Sequence, residues 1–176
     1  VVAIGETGLD YFKSTVDPDV QKKSFMMHLE LASNLDLPVI VHNRGADEDT
    51  FSLLRQFPKV RAVFHCFGSN LDFARVLWAK EYLTSFTGII TYPNAVDLRK
   101  VVEAVPKNLF MVETDCPYLA PQSTRGKRNE PSFVRDVLAQ LAEVKGLSFE
   151  DADLLSTENA RMFFDLRLSK EALTSS

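Results

Sequence analysis

Residues 37–44 read LPVIVHNR, an apolar run from Pro38 to Val41 that ends on an imidazole, an amide and a cation. Such a run, rich in β-branched residues and lacking strict alternation, is what a strand looks like when both faces of a parallel sheet are covered. On its amino-terminal side the period becomes helical: Phe25, Leu29, Ala32 and Leu35 share one stripe, with Asp17-Pro18 as a start signal and Asn34 as a stop. On its carboxyl-terminal side Thr50, Phe51, Leu54 and Phe57 form a second stripe. The unit is helix, strand, helix, and it repeats. Further apolar runs stand at 1–5 (VVAIG), 60–64 (VRAVF), 82–86 (YLTSF, with Ile89 and Ile90 beyond) and 109–112 (LFMV). Between them lie a stripe of Leu71, Ala74 and Leu77 or Trp78, with Asn70 as its cap, and one of Val101, Val102 and Val105. After Asp115 comes a Pro-rich segment over 116–130; helices are then predicted over 132–145, 148–155 and 157–164, and a frayed tail over 170–176.

This is βα alternation, and it fits either a doubly wound sheet or an eight-stranded barrel. No glycine fingerprint for a dinucleotide follows a strand, and no GxxxxGK[ST] phosphate loop is present. With 176 residues, 45% hydrophobic and 25% charged, the chain has the make-up of one globular domain. No apolar run approaches the ~20 residues of a membrane span, so a membrane is not an expected partner. The start, VVAIGETG, has neither an initiating Met nor a secretory signal, which points to a partial chain. Cys66 and Cys116, far apart and outside any CxxC pattern, argue for a reducing cytoplasm and for packing roles. A net charge of -4 disfavours a broad basic surface for nucleic acid.

The informative residues are polar ones at strand ends. Glu6, His42, His65 and Asp115 each follow an apolar run, and in a barrel of parallel strands the carboxyl ends converge on one small volume. Singly, each has a plain structural explanation: a histidine after a strand is usually a hydrogen-bonded group, Glu6 among glycines could close a turn, and Asp115 could cap a loop. Jointly, two of the three histidines and two acids at strand ends supply the mixed nitrogen and oxygen donors that suit Zn, Mn, Fe or, less readily, Mg. His28, inside the first helix, reads as structural. Glu113 reads equally well as a buried, hydrogen-bonded acid or as a partner of a metal ligand. Arg125, Lys127 and Arg128 in the loop past Asp115, and Arg44 past His42, are placed to reach phosphate.

Six segments, AIGETGLDY (3–11), LPVIVHNR (37–44), VFHCF (63–67), ETDCPYLAP (113–121), RNEP (128–131) and TENARMFF (157–164), together resemble the TatD family of metal-dependent deoxyribonucleases. The resemblance implies a single TatD-type hydrolase domain over 1–176, truncated at its amino terminus, and a TIM-type (β/α) barrel that is incomplete here, with five of eight strands and the first three absent. It implies that Glu6, His42, His65 and Asp115 occupy metal-ligand positions: His42 and His65 on one ion, Asp115 with an HxH pair on a second, and Glu6 bridging. This sequence has no HxH. It also reads Gly68-Ser69 where the family commonly has Ser-Gly or Thr-Gly, a difference of loop shape.

Implied too are two divalent ions in the full-length protein (Mg, Zn or Mn), DNA as substrate, exonuclease action on the phosphodiester bonds of single-stranded ends or damaged DNA, and Asp115 and Glu6 as catalytic groups. Arg44, Arg125, Lys127 and Arg128 become substrate-binding residues. No obligate protein partner is evident. Two rivals stand beside this reading: hydrolysis of amides or esters by a similar metal site, though no Lys follows a strand to serve as the carboxylated bridge that related barrels use, and an inactive fragment.

Overall fold

A computed structural model describes residues 1–166. The expected tail over 170–176 lies outside the described residues. Five strands, β1 (Ile4–Asp10), β2 (Val39–Arg44), β3 (Ala62–Phe64), β4 (Leu83–Phe86) and β5 (Phe110–Val112), form one sheet in the order β1-β2-β3-β4-β5, every pairing parallel. The helices that connect them are α1 (Pro18–Leu35), α2 (Asp47–Leu54), α3 (Leu71–Trp78) and α4 (Val96–Ala104); α5 (Val134–Lys145) and α6 (Phe149–Phe163) follow the last strand. The fold is α/β. Its strand order is sequential and lacks the reversal that defines a doubly wound sheet.

The helices begin where side chains can occupy free backbone donors. Asp17 accepts from Asp19 N–H ahead of Pro18, Asn70 accepts from Phe73 N–H, and Ser148 accepts from Asp151 N–H. The expected stop of α1 at Asn34 falls two residues later, at Asp36 in the left-handed region (φ 51°). Phe25, Leu29 and Ala32 of the predicted stripe are buried, but Leu35 is exposed. The core is continuous along the sheet, with Phe25, Phe64, Phe86, Phe110, Leu54 and Leu77 among its fully buried side chains.

Two elements differ from expectation. The segment 148–164 is a single helix with no break at Ser156-Thr157. Ser156 and Asn159 look like an interruption in sequence, yet both are buried: Ser156 Oγ accepts from Val112 N–H, and Asn159 donates to the carbonyls of Lys107 and Phe110. Helix α6 thus supplies hydrogen-bond partners to the edge strand β5, which would otherwise present bare backbone. The first strand runs over Ile4–Asp10 rather than 1–5, so Glu6 lies within it. No helix among the described residues is long and apolar enough to cross a membrane.

Candidate metal centre

Strand β1 owes its position to glycines. The pairing with β2 runs Ile4 to Val39 and then Thr7 to Val41, three steps against two, so an extra residue bulges out between Ile4 and Thr7 where Gly5 and Glu6 lie. A Cβ on Gly8 (φ 150°) would stand 1.9 Å from the His42 carbonyl oxygen. Only glycine permits that approach. Beyond the bulge, Gly8 pairs with His42 and Asp10 with Arg44, bringing both polar ends of β1 alongside the imidazole of β2. What resembles a turn in sequence is a strand pressed against its neighbour.

Glu6, His42 and His65 each offer one ligand atom, all within 4.8 Å of one another. His42 Nδ1 lies 3.1 Å from Glu6 Oε1, His65 Nε2 lies 3.2 Å from Glu6 Oε2, and the two ring nitrogens are 3.3 Å apart. Two nitrogens held at ~2.0–2.1 Å by a tetrahedral ion would be roughly 3.3–3.4 Å apart, so the spacing fits a divalent cation. The far nitrogens strengthen the fit. His42 Nε2 faces Asp10 Oδ2 at 3.3 Å, and His65 Nδ1 faces Glu113 Oε2 at 3.4 Å. A carboxylate favours the N–H on the nitrogen that faces it, which leaves lone pairs on His42 Nδ1 and His65 Nε2 pointed at each other and at Glu6. Such convergence is repulsive until a cation or a proton occupies it.

The two supporting acids are themselves fixed. Asp10 Oδ1 accepts from the backbone N–H groups of Phe12 (2.9 Å) and Lys13 (2.7 Å), and Glu113 Oε1 accepts from Cys66 N–H (2.8 Å). Burial alone would raise both carboxyls. Instead both are held below the usual range, Asp10 by the two backbone donors and His42, Glu113 by His65, Cys66 N–H and the Ser85 side chain. Burial pushes the His65 imidazole down, but the hydrogen bond to Glu113 and the charges of Glu113, Glu6 and Asp115 outweigh it, so His65 is raised. Burial pushes the Cys66 thiol up to about 11 despite its hydrogen bond with Thr87 Oγ1 at 3.6 Å, which suits packing rather than ligation. Cys116 is exposed, contrary to its expected packing role.

Asp115 does not join the trio of donors. Alternation along β5 predicts that Glu113 and Asp115 face one side, but the strand ends at Val112 and Asp115 takes a left-handed conformation (φ 56°), so the extended path is lost before it. The residue directly past β5 is Glu113, whose N–H still donates to Phe86 O. Asp115 stands near enough that burial, Glu113 and Glu6 raise its carboxyl against the opposing pull of His65 and His42. Its loop is clamped by Asn129, a buried amide that donates to the carbonyls of Thr114 (2.7 Å) and Tyr118 (2.6 Å).

The expected phosphate contacts are spread around this end of the sheet. Arg44 is exposed and lies over the Phe12 ring at 4.5 Å; Arg125 is exposed and lies over Tyr92 at 4.2 Å. Lys127 and Arg128 are exposed, and Arg128 lines a shallow cleft with Cys116, Pro117, Asn129, Glu130 and Pro131. His28, as expected, bonds the carbonyl of Ser24 within its own helix. Asp10 escaped the sequence reading because it lies in a stretch that reads as a turn. Its signal is a place inside the segment AIGETGLDY, four residues past Glu6.

The family model for "TatD related DNase" matches residues 1–165. Among curated proteins, the chain is 42% identical to an uncharacterized metal-dependent hydrolase, YabD, of Bacillus subtilis, over 93% of this chain and 65% of that protein. It is 41% identical to another, YcfH of Escherichia coli, over 97% of this chain and 65% of that protein. The chain therefore spans about 65% of the length of these relatives. Among solved structures, a TatD homologue from Escherichia coli, YJJV, superposes with a TM-score of 0.89 at 30% identity, over 95% of this chain and 65% of that one. A TatD-family hydrolase from Entamoeba histolytica gives 0.82 at 25% identity, over 93% and 63%.

Proposed function

Because this chain belongs to the TatD-related DNase family, we propose that it belongs to an enzyme that hydrolyses DNA phosphodiester bonds with divalent cations, acting as an exonuclease. The observation that carries this reading is the convergence of ligand atoms from Glu6, His42 and His65, each imidazole backed by its own carboxylate. A divalent cation bound there would supply a water of lowered pKa and offset charge on the phosphoryl oxygens. Zn and Mn suit this donor set, and Mg, which prefers oxygen ligands, suits it less readily.

Glu6, His42 and His65 hold the ion, while Asp10 and Glu113 keep the imidazoles in the ligating tautomer. Asp115, close by but separate from the trio, would accept a proton from water, and it and Glu6 would offer carboxylate oxygens to a second ion. Arg44, Arg125, Lys127 and Arg128 position the phosphates of the strand. The sheet is read as five strands of a TIM-type barrel, the rest coming from the third of the relatives' length that this chain does not span. The sequential parallel order and the likeness to the TatD homologue support that reading. The chain then forms part of one hydrolase domain.

The test is release of nucleotides from single-stranded DNA by the full-length protein with Mg or Mn, beside hydrolysis of simple esters and amides. His65→Ala and Asp115→Asn should each abolish nucleotide release. Ester or amide hydrolysis without DNA cleavage would move the substrate class; cleavage retained in both variants would discard the site.

A further inference from the structure

The two imidazoles of the centre come from neighbouring strands, but the backbone does not hold those strands together where the imidazoles stand. Strand β3 pairs with β2 only as far as Phe64 opposite Val41, and the last backbone bond across the gap is His65 N–H to Val41 O at 3.0 Å. Beyond that point the two segments turn to other partners. His42, Asn43 and Arg44 stay paired with β1, opposite Gly8, Leu9 and Asp10. Cys66 N–H donates to Glu113 and Phe67 N–H to Ser85 O, so the segment after β3 is tied to β4 and to the residue past β5. His42 and His65 thus face each other across a split in the sheet. Neighbouring strands that have lost their ladder diverge with the twist of the sheet, so the 3.3 Å between the ligating nitrogens needs another tie.

One side chain spans the split. Asp47, at the first position of α2, accepts on a single oxygen, Oδ1, from Asn43 Nδ2 at 2.6 Å and from Ser69 Oγ at 2.8 Å. Asn43 follows His42 directly, and Ser69 lies four residues past His65. The Asn43 amide is fixed in turn, because its oxygen accepts from Thr50 Oγ1 at 2.8 Å and Thr50 is fully buried. Apart from the contact between the imidazoles, no other side-chain hydrogen bond joins the segment after β2 to the segment after β3 among the described residues. Nor is Asp47 a cap for its own helix, which has no side-chain cap bond. Ser69 is also where this loop departs from the family's usual order. A Cβ on Gly68 would meet only Cys66 O, at 3.8 Å, and neither Gly68 nor Ser69 has a left-handed φ, so the backbone does not demand glycine first and serine second. The order matters for a different reason: it puts the hydroxyl where it reaches Asp47.

We propose that Asp47 and Ser69 are positioning residues of the metal centre, and that the bridge from Asn43 through Asp47 to Ser69 closes the split between β2 and β3 and sets the spacing of His42 and His65. This role rests on the reading of Glu6, His42 and His65 as a metal site; neither Asp47 nor Ser69 is among its ligand atoms.

The test is metal binding by the full-length protein, with Zn in competition against a chromophoric chelator and with Co(II), whose visible absorption reports ligand geometry, beside urea unfolding of the metal-free protein. Ser69→Ala should weaken Zn binding about 2- to 10-fold, what one hydrogen bond supplies, and Gly68→Ser combined with Ser69→Gly should match it. Asp47→Ala loses both bonds and should weaken binding about 10- to 100-fold while altering the Co(II) absorption. Asp47→Asn keeps an oxygen for both donors and should stay within about 2-fold of wild type. Wild-type affinity and absorption in Asp47→Ala would overturn the bridge, and so would a loss in Asp47→Asn equal to that in Asp47→Ala. Lower stability in urea with the Co(II) absorption unmoved would reduce Asp47 to a fold-stabilising residue and overturn it as well. Co(II) bound no better by wild type than by His65→Ala would instead remove the metal-site reading on which the bridge depends.

Discussion

Replacing Glu113 by Gln probes the carboxylate behind His65 while leaving the backbone almost untouched. Gln keeps an oxygen for Cys66 N–H, which Glu113 Oε1 accepts at 2.8 Å, so the turn after β3 remains hydrogen-bonded. The other arm changes sign. The amide nitrogen, where Oε2 now lies 3.4 Å from His65 Nδ1, can only donate, so Nδ1 must accept and the ring proton moves to Nε2, the atom that faces Glu6. A proton then occupies the place of the cation. His65 is only 10% exposed, so water has little access to restore the original tautomer. Loss of an outer carboxylate of this kind costs about 10- to 100-fold in metal affinity, or roughly 1.4–2.7 kcal/mol, and the burial of His65 argues for the upper part. The assay is competition for Zn or Mn against a chromophoric chelator, with thermal melting of the metal-free protein as the control for folding. Wild-type affinity in Glu113→Gln would refute the tautomer argument, and so would a loss of affinity no larger than the loss of stability explains.

The equivalent change at the other imidazole should be milder: His42 is 31% exposed, water can replace part of the partner, and Asp10→Asn should cost under ~10-fold in metal affinity by the same competition assay. Glu113 has a folded-state pKa below its ordinary 4.5, so its contribution to stability is complete above that value and is lost as pH falls through the lower folded one. The melting temperature of the metal-free wild type should therefore fall more steeply below pH 4.5 than that of Glu113→Gln. Gly8→Ala places a Cβ 1.9 Å from His42 O and should destabilise by about 2–5 kcal/mol in urea unfolding, separating β1 from β2 and lowering metal affinity with it. Asn129→Ala removes two buried donors from the Asp115 loop and should cost about 1–3 kcal/mol, with proteolysis near 115–118 as the local readout.

By itself the sequence determined the alternation of strand and helix, because a parallel strand covered on both faces and an amphipathic helix have different hydrophobic periods, and both survive in a single line of letters. It also placed His65 directly after a strand and His42 in the carboxyl-terminal half of one, where the apolar run stops, and the six family segments named the family. The tertiary structure decided the rest. Glu6 was read as the end of a strand and lies inside one, since the pairing of Thr7 to Asp10 with β2 depends on a close approach that only a neighbour reveals. Ser156 looked like a helix break and is instead a hydrogen-bond partner for β5. Which nitrogen of each imidazole faces the centre is set by Asp10, 32 residues from His42, and by Glu113, 48 residues from His65. Periodicity carries information over one or two turns of helix or a few residues of strand, and a carboxylate that fixes a tautomer across such a separation leaves no trace in it.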